Sequence, residues 1–218
     1  LLVDTKTEGI DGVSSLTGAN SVAVDGNYVY VSGSNTAIAI FSRNPNNDKL
    51  TFNTVKDNWG DDLNWYNGAI SMVISPDKNY LYVLGTFKLI IFERETHSGQ
   101  LTFLKSHVLY ENVNGFSGSS VAISPDSQYV YITNSNNSLL VFERLDTGEL
   151  KFLQQLENSQ EDVDGLGYAT SAKVSADGNH IYVGTGNSMG KGDNALAVFS
   201  RNPETGELRS LQAHHEEE

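Results

Sequence analysis

Short runs of apolar and β-branched residues, separated by turn residues, recur along the whole chain. A run that begins Ser21-Val-Ala-Val returns at Ser71, Ser120 and Ser171, at intervals of 50, 49 and 51 residues. Each copy continues with a Tyr-rich run, a run that ends in Phe-x-Arg and a fourth short run. Runs of this length, rich in Val, Ile, Tyr and Phe, predict strands rather than helices.

Turn residues separate the predicted strands within each copy. Ser75-Pro-Asp and Ser124-Pro-Asp place proline at the first central position of a turn, and Asp25-Gly and Asp177-Gly supply residues that tolerate positive φ. A repeating four-stranded antiparallel unit of this length is typical of a β-propeller blade. The sequence therefore predicts an all-β fold, a β-propeller with four blades in this chain. A β-solenoid is the alternative, but its rungs are shorter.

The repeat divides the chain into one outer strand and four blades of a single propeller domain over residues 1–218. The outer strand is predicted at 1–8, and the blades at 21–56, 71–107, 120–156 and 171–212. Residues 1–8 resemble the fourth strand of a blade, so the chain has one outer strand too many for simple closure. We expect this strand to pair with the third strand of the fourth blade, 195–199, or with a blade outside this chain.

Two arrangements of the blades fit this surplus strand. The pattern favours part of a larger propeller, or a half-ring that pairs with a second copy, over a self-contained monomer of four blades. An unclosed fan would leave apolar faces and a strand edge open to self-association. The tail from His214 to Glu218 is expected to be disordered.

Composition and charge exclude several classes of protein. The chain has 14 Lys and Arg against 27 Asp and Glu, a net charge of -13 that would repel the phosphates of nucleic acid. The mean hydropathy is -0.32, and the chain contains no apolar run long enough to span a membrane. The absence of cysteine excludes disulfides and thiolate metal sites.

The blade sequence resembles a known family. Tyr131-Ile-Thr-Asn134, the Ser-Pro-Asp turns and the Phe-x-Arg…Thr-Gly-x-Leu ending are similar to the YVTN-type repeat of lactonase-like propellers and prokaryotic cell-surface proteins. The resemblance covers essentially the whole chain. It implies the propeller fold and permits a lactonase-like hydrolase, but these motifs build strands and turns and assign no catalytic residue.

The loops between blades contain the candidate binding residues. Paired aromatic rings beside carboxylates and amides are suited to carbohydrate, because rings stack on sugars and polar groups bind hydroxyls. The segment after the first blade has this composition, although the two tryptophans could also pack between blades. The candidate ligand-binding residues are Trp59, Asp61, Asp62, Trp65 and Tyr66. The expected partner at this loop face is a protein or a carbohydrate.

Metal binding is a second hypothesis for these loops. Glu161, Asp162 and Asp164 could supply oxygen ligands to Ca²⁺, although their spacing is not that of an EF-hand and a solvated acidic loop explains them equally. Outside the tail, the histidines lack the spacing of a zinc site.

Two further features have structural explanations. Arg43, Arg94, Arg144 and Arg201 recur once per blade, which indicates an ion pair or a turn clamp rather than catalysis. The Gly-rich insertion at 184–194 lacks the spacing of a phosphate-binding loop and is expected to extend a hairpin.

These observations lead to three functional expectations. The first is a non-enzymatic binding or assembly module, extracellular, at the cell surface or periplasmic, because the chain is acidic and has no evident catalytic constellation. The second is a fragment of a lactonase-like hydrolase, as the resemblance permits. The third is a structural subunit of a filament or surface layer.

Overall fold

The computed structural model describes residues 2–33, 37–57, 68–109, 116–160, 162–186 and 192–215. These residues form sixteen strands in four antiparallel sheets of four strands each, so the predicted all-β fold of propeller blades is confirmed. No helix occurs among them, and they therefore contain no helix that could cross a membrane.

Contacts divide the chain into two units, Leu1–Ser106 and His107–Glu218. The first unit holds two sheets, in which the strands follow one another in sequence order. The first sheet consists of β1 (Ser21–Val24), β2 (Tyr28–Ser32), β3 (Ile38–Arg43) and β4 (Leu50–Lys56), and the second of β5 (Ser71–Ile74), β6 (Tyr80–Leu84), β7 (Lys88–Arg94) and β8 (Leu101–Val108), whose last two residues lie beyond the boundary between units.

The second unit repeats this order in two further sheets. The third sheet consists of β9 (Gly118–Ile123), β10 (Tyr129–Asn134), β11 (Ser138–Arg144) and β12 (Leu150–Glu157), and the fourth of β13 (Ala169–Val174), β14 (His180–Thr185), β15 (Ala195–Arg201) and β16 (Leu208–His215). The same pairing in every sheet follows from the sequence, since each short turn joins strands that are consecutive in the chain.

The small-residue strand lies at one edge of each sheet and contacts its counterpart in the neighbouring sheet. β1 lies beside β5, and β9 lies beside β13. The repeated serine joins these edges: the amide of Met72 donates to Ser21 Oγ at 2.9 Å, and the amide of Ala172 donates to Ser120 Oγ at 3.4 Å. The serine that marks each repeat therefore binds the next sheet.

Alternate faces of each strand are buried between sheets. In the first unit, Tyr30, Ile38 and Ile40 pack against residues of the second sheet such as Leu81 and Phe92. In the second unit, Tyr131, Leu139 and Val141 of the third sheet pack with Ile181, Val183 and Phe199 of the fourth. The two interfaces use equivalent positions of the repeat.

The recurring arginines are turn clamps, as the sequence predicts. One guanidinium nitrogen of each donates to the carbonyl of the turn between the first two strands of its own sheet, at 2.6–2.9 Å. Arg94 and Arg201 also form ion pairs with Asp25 and Asp126 of the preceding sheet. Arg43 pairs instead with Asp48, which is exposed in its own sheet.

The two chain ends differ from the sequence prediction. Residues 2–7 form no strand, and β15 is already paired on both sides, by β14 and β16, so the expected pairing with 195–199 is wrong. The tail is also more ordered than expected, because β16 continues through His215. Residues 216–218 lie outside the described part of the chain.

Candidate functional site

A cleft of about 600 Å³ opens at one end of the third and fourth sheets, within the unit His107–Glu218. It is formed by the turn between β10 and β11, the loop from β12 to β13, the loop from β14 to β15 and the residue before β9. Its lining is polar. We call it the loop cleft, and it is lined by Ser117, Ser135, Asn136, Asn137, Asn158, Gly167, Tyr168, Gly192 and Asp193.

Asp193 supplies the carboxylate of the loop cleft. Its Oδ2 accepts hydrogen bonds from the amide of Gly167 at 2.6 Å and from Asn158 Nδ2 at 2.9 Å, so two donors from the opposite loop orient the group. The Asp193 amide donates in return to the carbonyl of Gly167 at 3.2 Å. These contacts join the β14–β15 loop to the β12–β13 loop and hold the carboxylate in one position.

Gly167 permits this close approach. A Cβ atom at this position would lie 2.4 Å from Asp193 Oδ1 and 2.5 Å from its Cγ, both closer than a van der Waals contact. Any side chain at position 167 would therefore displace the carboxylate.

Asn158 connects the elements around the cleft. Besides binding Asp193, its Oδ1 accepts from the amide of Leu166 at 2.9 Å, and its own amide donates to the carbonyl of Asn137 at 2.9 Å. Leu166 is fully buried, so this contact ties the loop to the core. An Asn158 side chain that is engaged at both ends acts as a positioning residue for Asp193.

Two residues of the cleft have left-handed backbones. Asn137 has φ of 66° and Tyr168 has φ of 56°, and the Tyr168 amide donates to Asn137 Oδ1 at 2.9 Å. Asparagine adopts this conformation readily, whereas tyrosine does so at a cost of about 1 kcal/mol or more. The loop thus holds Tyr168 at the cleft in a conformation that the chain would not choose locally.

The far side of the cleft rests on a buried amide. Asn134, the last residue of β10, is fully buried; its Oδ1 accepts from the amides of Ser117 at 2.7 Å and Asn136 at 3.1 Å, and its Nδ2 donates to Ser138. The Ser135 hydroxyl donates to the carbonyl of Ser117 at 3.2 Å. Hydroxyls and amides are thereby held in place along the wall opposite Asp193.

An ion pair lies beside the cleft. His215 Nε2 lies 2.9 Å from Asp164 Oδ2, and its Nδ1 lies 3.3 Å from the carbonyl of Asp193. The hydrogen bond to Asp164 raises the pKa of His215, and the same bond lowers the pKa of Asp164. The end of β16 is thus attached to both loops.

The predicted site residues do not line this cleft. Trp59, Asp61, Asp62, Trp65 and Tyr66 lie outside the described residues, as does Glu161, so their binding role stays a prediction.

The proposed Ca²⁺ ligands are only partly described. Asp162 is exposed, and both oxygens of Asp164 are engaged, one by His215 and one by the amide of Gly165. Within the described ranges, no group of three or more His, Asp or Glu side chains could hold a metal ion.

Sequence reasoning missed the residues of the loop cleft. Asp193 ends the insertion in the fourth repeat, and Asn158 follows β12 directly, so they lie 35 residues apart and share no motif. The usable signal was that the insertion breaks the repeat and ends in a carboxylate.

Comparison with known proteins adds a family and a fold. A family model described as a lactonase with a seven-bladed β-propeller matches residues 67–218. No curated protein matches the chain.

Several solved structures share the architecture. A candidate 6-phosphogluconolactonase from Bacteroides fragilis aligns with a TM-score of 0.70 at 18% identity, over 97% of this chain and 59% of its own. A second from Bacteroides uniformis gives a TM-score of 0.69 at 17% identity, over 89% and 56%. The periplasmic gluconolactonase of Pseudomonas aeruginosa gives 0.54 at 15% identity, over 90% and 72%. The chain spans 54–59% of the length of the first three structures it matches.

These comparisons correct the main functional expectation from the sequence. The expectation of a non-enzymatic extracellular binding or assembly module is wrong, because the matched family model describes lactonases. The solved structures named above also agree better with the alternative that the sequence left open, a lactonase-like hydrolase.

Proposed function

The chain belongs to the lactonase family of seven-bladed β-propellers, and from this membership we propose that it forms part of an enzyme that hydrolyses the lactone of a sugar acid. The observation that carries the proposal is the loop cleft, where one fixed carboxylate faces amides and hydroxyls at the end of two blades. Loops at one end of a rigid scaffold are a common place for a catalytic site.

Asp193 is the proposed general base. Lactone hydrolysis requires a water molecule to attack the ring carbonyl carbon while a base takes the proton from that water. The ring C–O bond then breaks, and the protonated Asp193 returns the proton to the departing alkoxide. The product is an open hydroxy acid, and the carboxylate is regenerated without any other reactant.

Asn158 and Gly167 position this base. Both of their hydrogen bonds reach Oδ2, so Oδ1 is the oxygen that remains to accept a proton from water. A base that is held rigidly loses little entropy when it reaches the geometry for proton transfer.

The polar lining suits a substrate with many hydroxyl groups. Ser117, Ser135 and Tyr168 present hydroxyls, and Asn136 and Asn137 present amides, which can donate to and accept from sugar hydroxyls. Gluconolactone and its 6-phosphate are the first substrates to test, since the structural matches include proteins described as acting on them.

We also propose that the blades are YVTN-type repeats. The buried Asn134 supports this assignment, because it ends the Tyr-Ile-Thr-Asn strand and binds three groups of the neighbouring turn. The asparagine of the motif would thus shape the loop face.

The experiment is a lactonase assay on the protein as its gene encodes it, with acid release followed at constant pH. Replacing Asp193 by Asn should lower kcat by about 100-fold or more if Asp193 is the base, with little change in thermal stability. Asp48→Asn is the matched control, because Asp48 is an exposed carboxylate in the first sheet. Equal activity of both variants would exclude Asp193 as the base, and absence of hydrolysis in the unmodified protein would refute the lactonase proposal.

A further inference from the structure

Neighbouring sheets are joined by the same ion pair in both units. Arg94, at the end of β7, donates to Asp25 in the turn between β1 and β2 of the preceding sheet. Arg201, at the end of β15, donates to Asp126 in the corresponding turn of the third sheet. Both arginines are at least 94% buried, so each pair is part of the interface between sheets.

Tyrosines of the second strand form the other part of this interface. Tyr30 OH donates to the carbonyl of Gly99 at 2.9 Å and accepts from Arg94 Nε at 2.6 Å. Tyr129 OH donates to the carbonyl of Glu204 at 2.6 Å, and the guanidinium of Arg201 lies over its ring. In each case the bound carbonyl belongs to the turn between the third and fourth strands of the next sheet.

We call this set of residues a receiving face: a turn aspartate, two side chains of the second strand and the apolar residues of the third strand beside them. On the first and third sheets it is covered by the next sheet. There Tyr30, Ile38, Tyr131 and Leu139 are all fully buried.

The fourth sheet has the same receiving face, and in this chain it is exposed. Tyr182 and Leu196 stand where Tyr131 and Leu139 stand in the third sheet, but 40% and 45% of their surfaces are accessible. Leu211 on the adjoining strand is 56% exposed. An apolar group of this kind beside a carboxylate is typical of a surface that binds another protein element.

Asp177 has the carboxylate role of Asp126 without its arginine. One oxygen accepts from the amide of Asn179 at 3.0 Å, as the corresponding oxygen of Asp126 accepts from Gln128. The other oxygen, which in Asp126 binds Arg201, is bound in Asp177 only by the side chain of Asn179 at 3.1 Å. The turn is already shaped for an incoming guanidinium.

We propose that the receiving face of the fourth sheet, formed by Asp177, His180, Tyr182, Leu196 and Leu211, binds a further four-stranded sheet of the same repeat. The third strand of that sheet ends in Phe-x-Arg, and its arginine pairs with Asp177. Its next turn packs over His180 and Tyr182. The inference goes beyond lactone hydrolysis and does not depend on it.

The first sheet of a second copy is a poor occupant for this face. The amide of Leu50 donates to Asp4 Oδ2 at 2.8 Å, as the amide of Leu208 donates to Gln154 Oε1 at 2.9 Å. Residues 2–7 therefore lie where β12, the outer strand of the third sheet, lies against the fourth. A docking fourth sheet would bring its own outer strand, β16, into the same place. The occupant is thus a sheet other than the four described.

Hydroxyl-radical footprinting tests the proposal. The protein as its gene encodes it and the 218-residue chain are labelled side by side, with the buried Tyr131 and the exposed Leu145 as references. We expect Tyr182 and Leu196 to label several-fold more slowly in the gene-encoded protein, close to the rate of Tyr131. Equal labelling of Tyr182 in both samples would overturn the proposal, as would protection that grows with protein concentration, which indicates a second copy.

A substitution links the protection to the ion pair. Asp177→Asn keeps the turn but removes the charge, so it should raise the labelling of Tyr182 in the gene-encoded protein. Asp48→Asn, in an exposed pair of the first sheet, should leave it unchanged. Protection of Tyr182 that is unaffected by Asp177→Asn would show that the occupant brings no arginine and would overturn the assignment.

Discussion

Arg94 and Asp25 form a buried ion pair between two neighbouring sheets, 69 residues apart in sequence. Both side chains are almost fully buried, and the arginine also donates to Tyr30 and to the carbonyl of Lys78. Burial lowers the pKa of Arg94, which is the expected effect of removing a cation from water. The hydrogen bonds compensate that cost, so the pair depends on both members.

Removal of one member of this pair should be strongly destabilising. Arg94→Leu leaves the Asp25 carboxylate buried and unpaired, which we expect to lower the free energy of unfolding by about 3–5 kcal/mol. Arg43→Leu is the matched control: Arg43 and Asp48 are 36% and 53% exposed, so their pair should contribute only about 0–1 kcal/mol. Urea unfolding followed by fluorescence measures both. Similar losses in the two variants would contradict the assigned role of burial.

The serines of the inner strands offer a second test of how sheets are joined. Ser21→Ala removes the acceptor of the Met72 amide, whose hydrogen bond is 2.9 Å long, and should cost about 1 kcal/mol of stability. The equivalent bond to Ser120 is longer, at 3.4 Å, so Ser120→Ala should cost less. Hydrogen exchange at the amides of Met72 and Ala172 reports each contact directly. Unchanged exchange of Met72 in Ser21→Ala would remove serine from the interface.

Gly167→Ala tests the position of the carboxylate without removing it. The added methyl group would overlap the Asp193 carboxyl group, so the carboxylate must move and lactone hydrolysis should fall by about tenfold or more. Gly184→Ala is the control, because a Cβ at position 184 meets no atom within 4 Å. The rate of lactone hydrolysis is measured for both, with circular dichroism to verify the fold. An active Gly167→Ala variant would mean that the position of Asp193 does not matter.

The repeat made the blades predictable, because each strand, turn and clamp occurs four times and its physical role does not depend on distant residues. The role of Arg94 followed from its recurrence alone. The loop cleft was not predictable in the same way. Asp193 and Asn158 come from two loops without counterparts in the other repeats, and only the folded chain brings them to 2.9 Å. Residues 2–7 were predicted as a strand from their composition, but a strand requires a partner, and β15 already has two.

The contact between His215 and Asp164 should depend on pH in a defined direction. Hydrogen bonding to Asp164 raises the pKa of His215 above its ordinary value of 6.5 and lowers that of Asp164 below 3.8. The raised histidine pKa means that its contribution to stability is complete below about pH 6.5 and is lost as the pH rises through the folded-state pKa. The lowered aspartate pKa means that the contribution is present above about pH 3.8 and is lost as the pH falls through the folded-state pKa of Asp164. The end of β16 should therefore be held most firmly between these limits.

An NMR titration of the His215 ring measures this effect. Asp164→Asn removes the partner charge and should return the pKa of His215 toward its ordinary value, which frees the last residues of β16 at mildly acidic pH. Asp162→Asn is the matched control, because Asp162 is a neighbouring acidic residue and is exposed. If both variants shift the pKa of His215 equally, the general negative charge of the loop raises it. A shift confined to Asp164→Asn assigns it to the hydrogen bond of 2.9 Å, and hence to a contact that attaches the final strand to the loop beside Asp193.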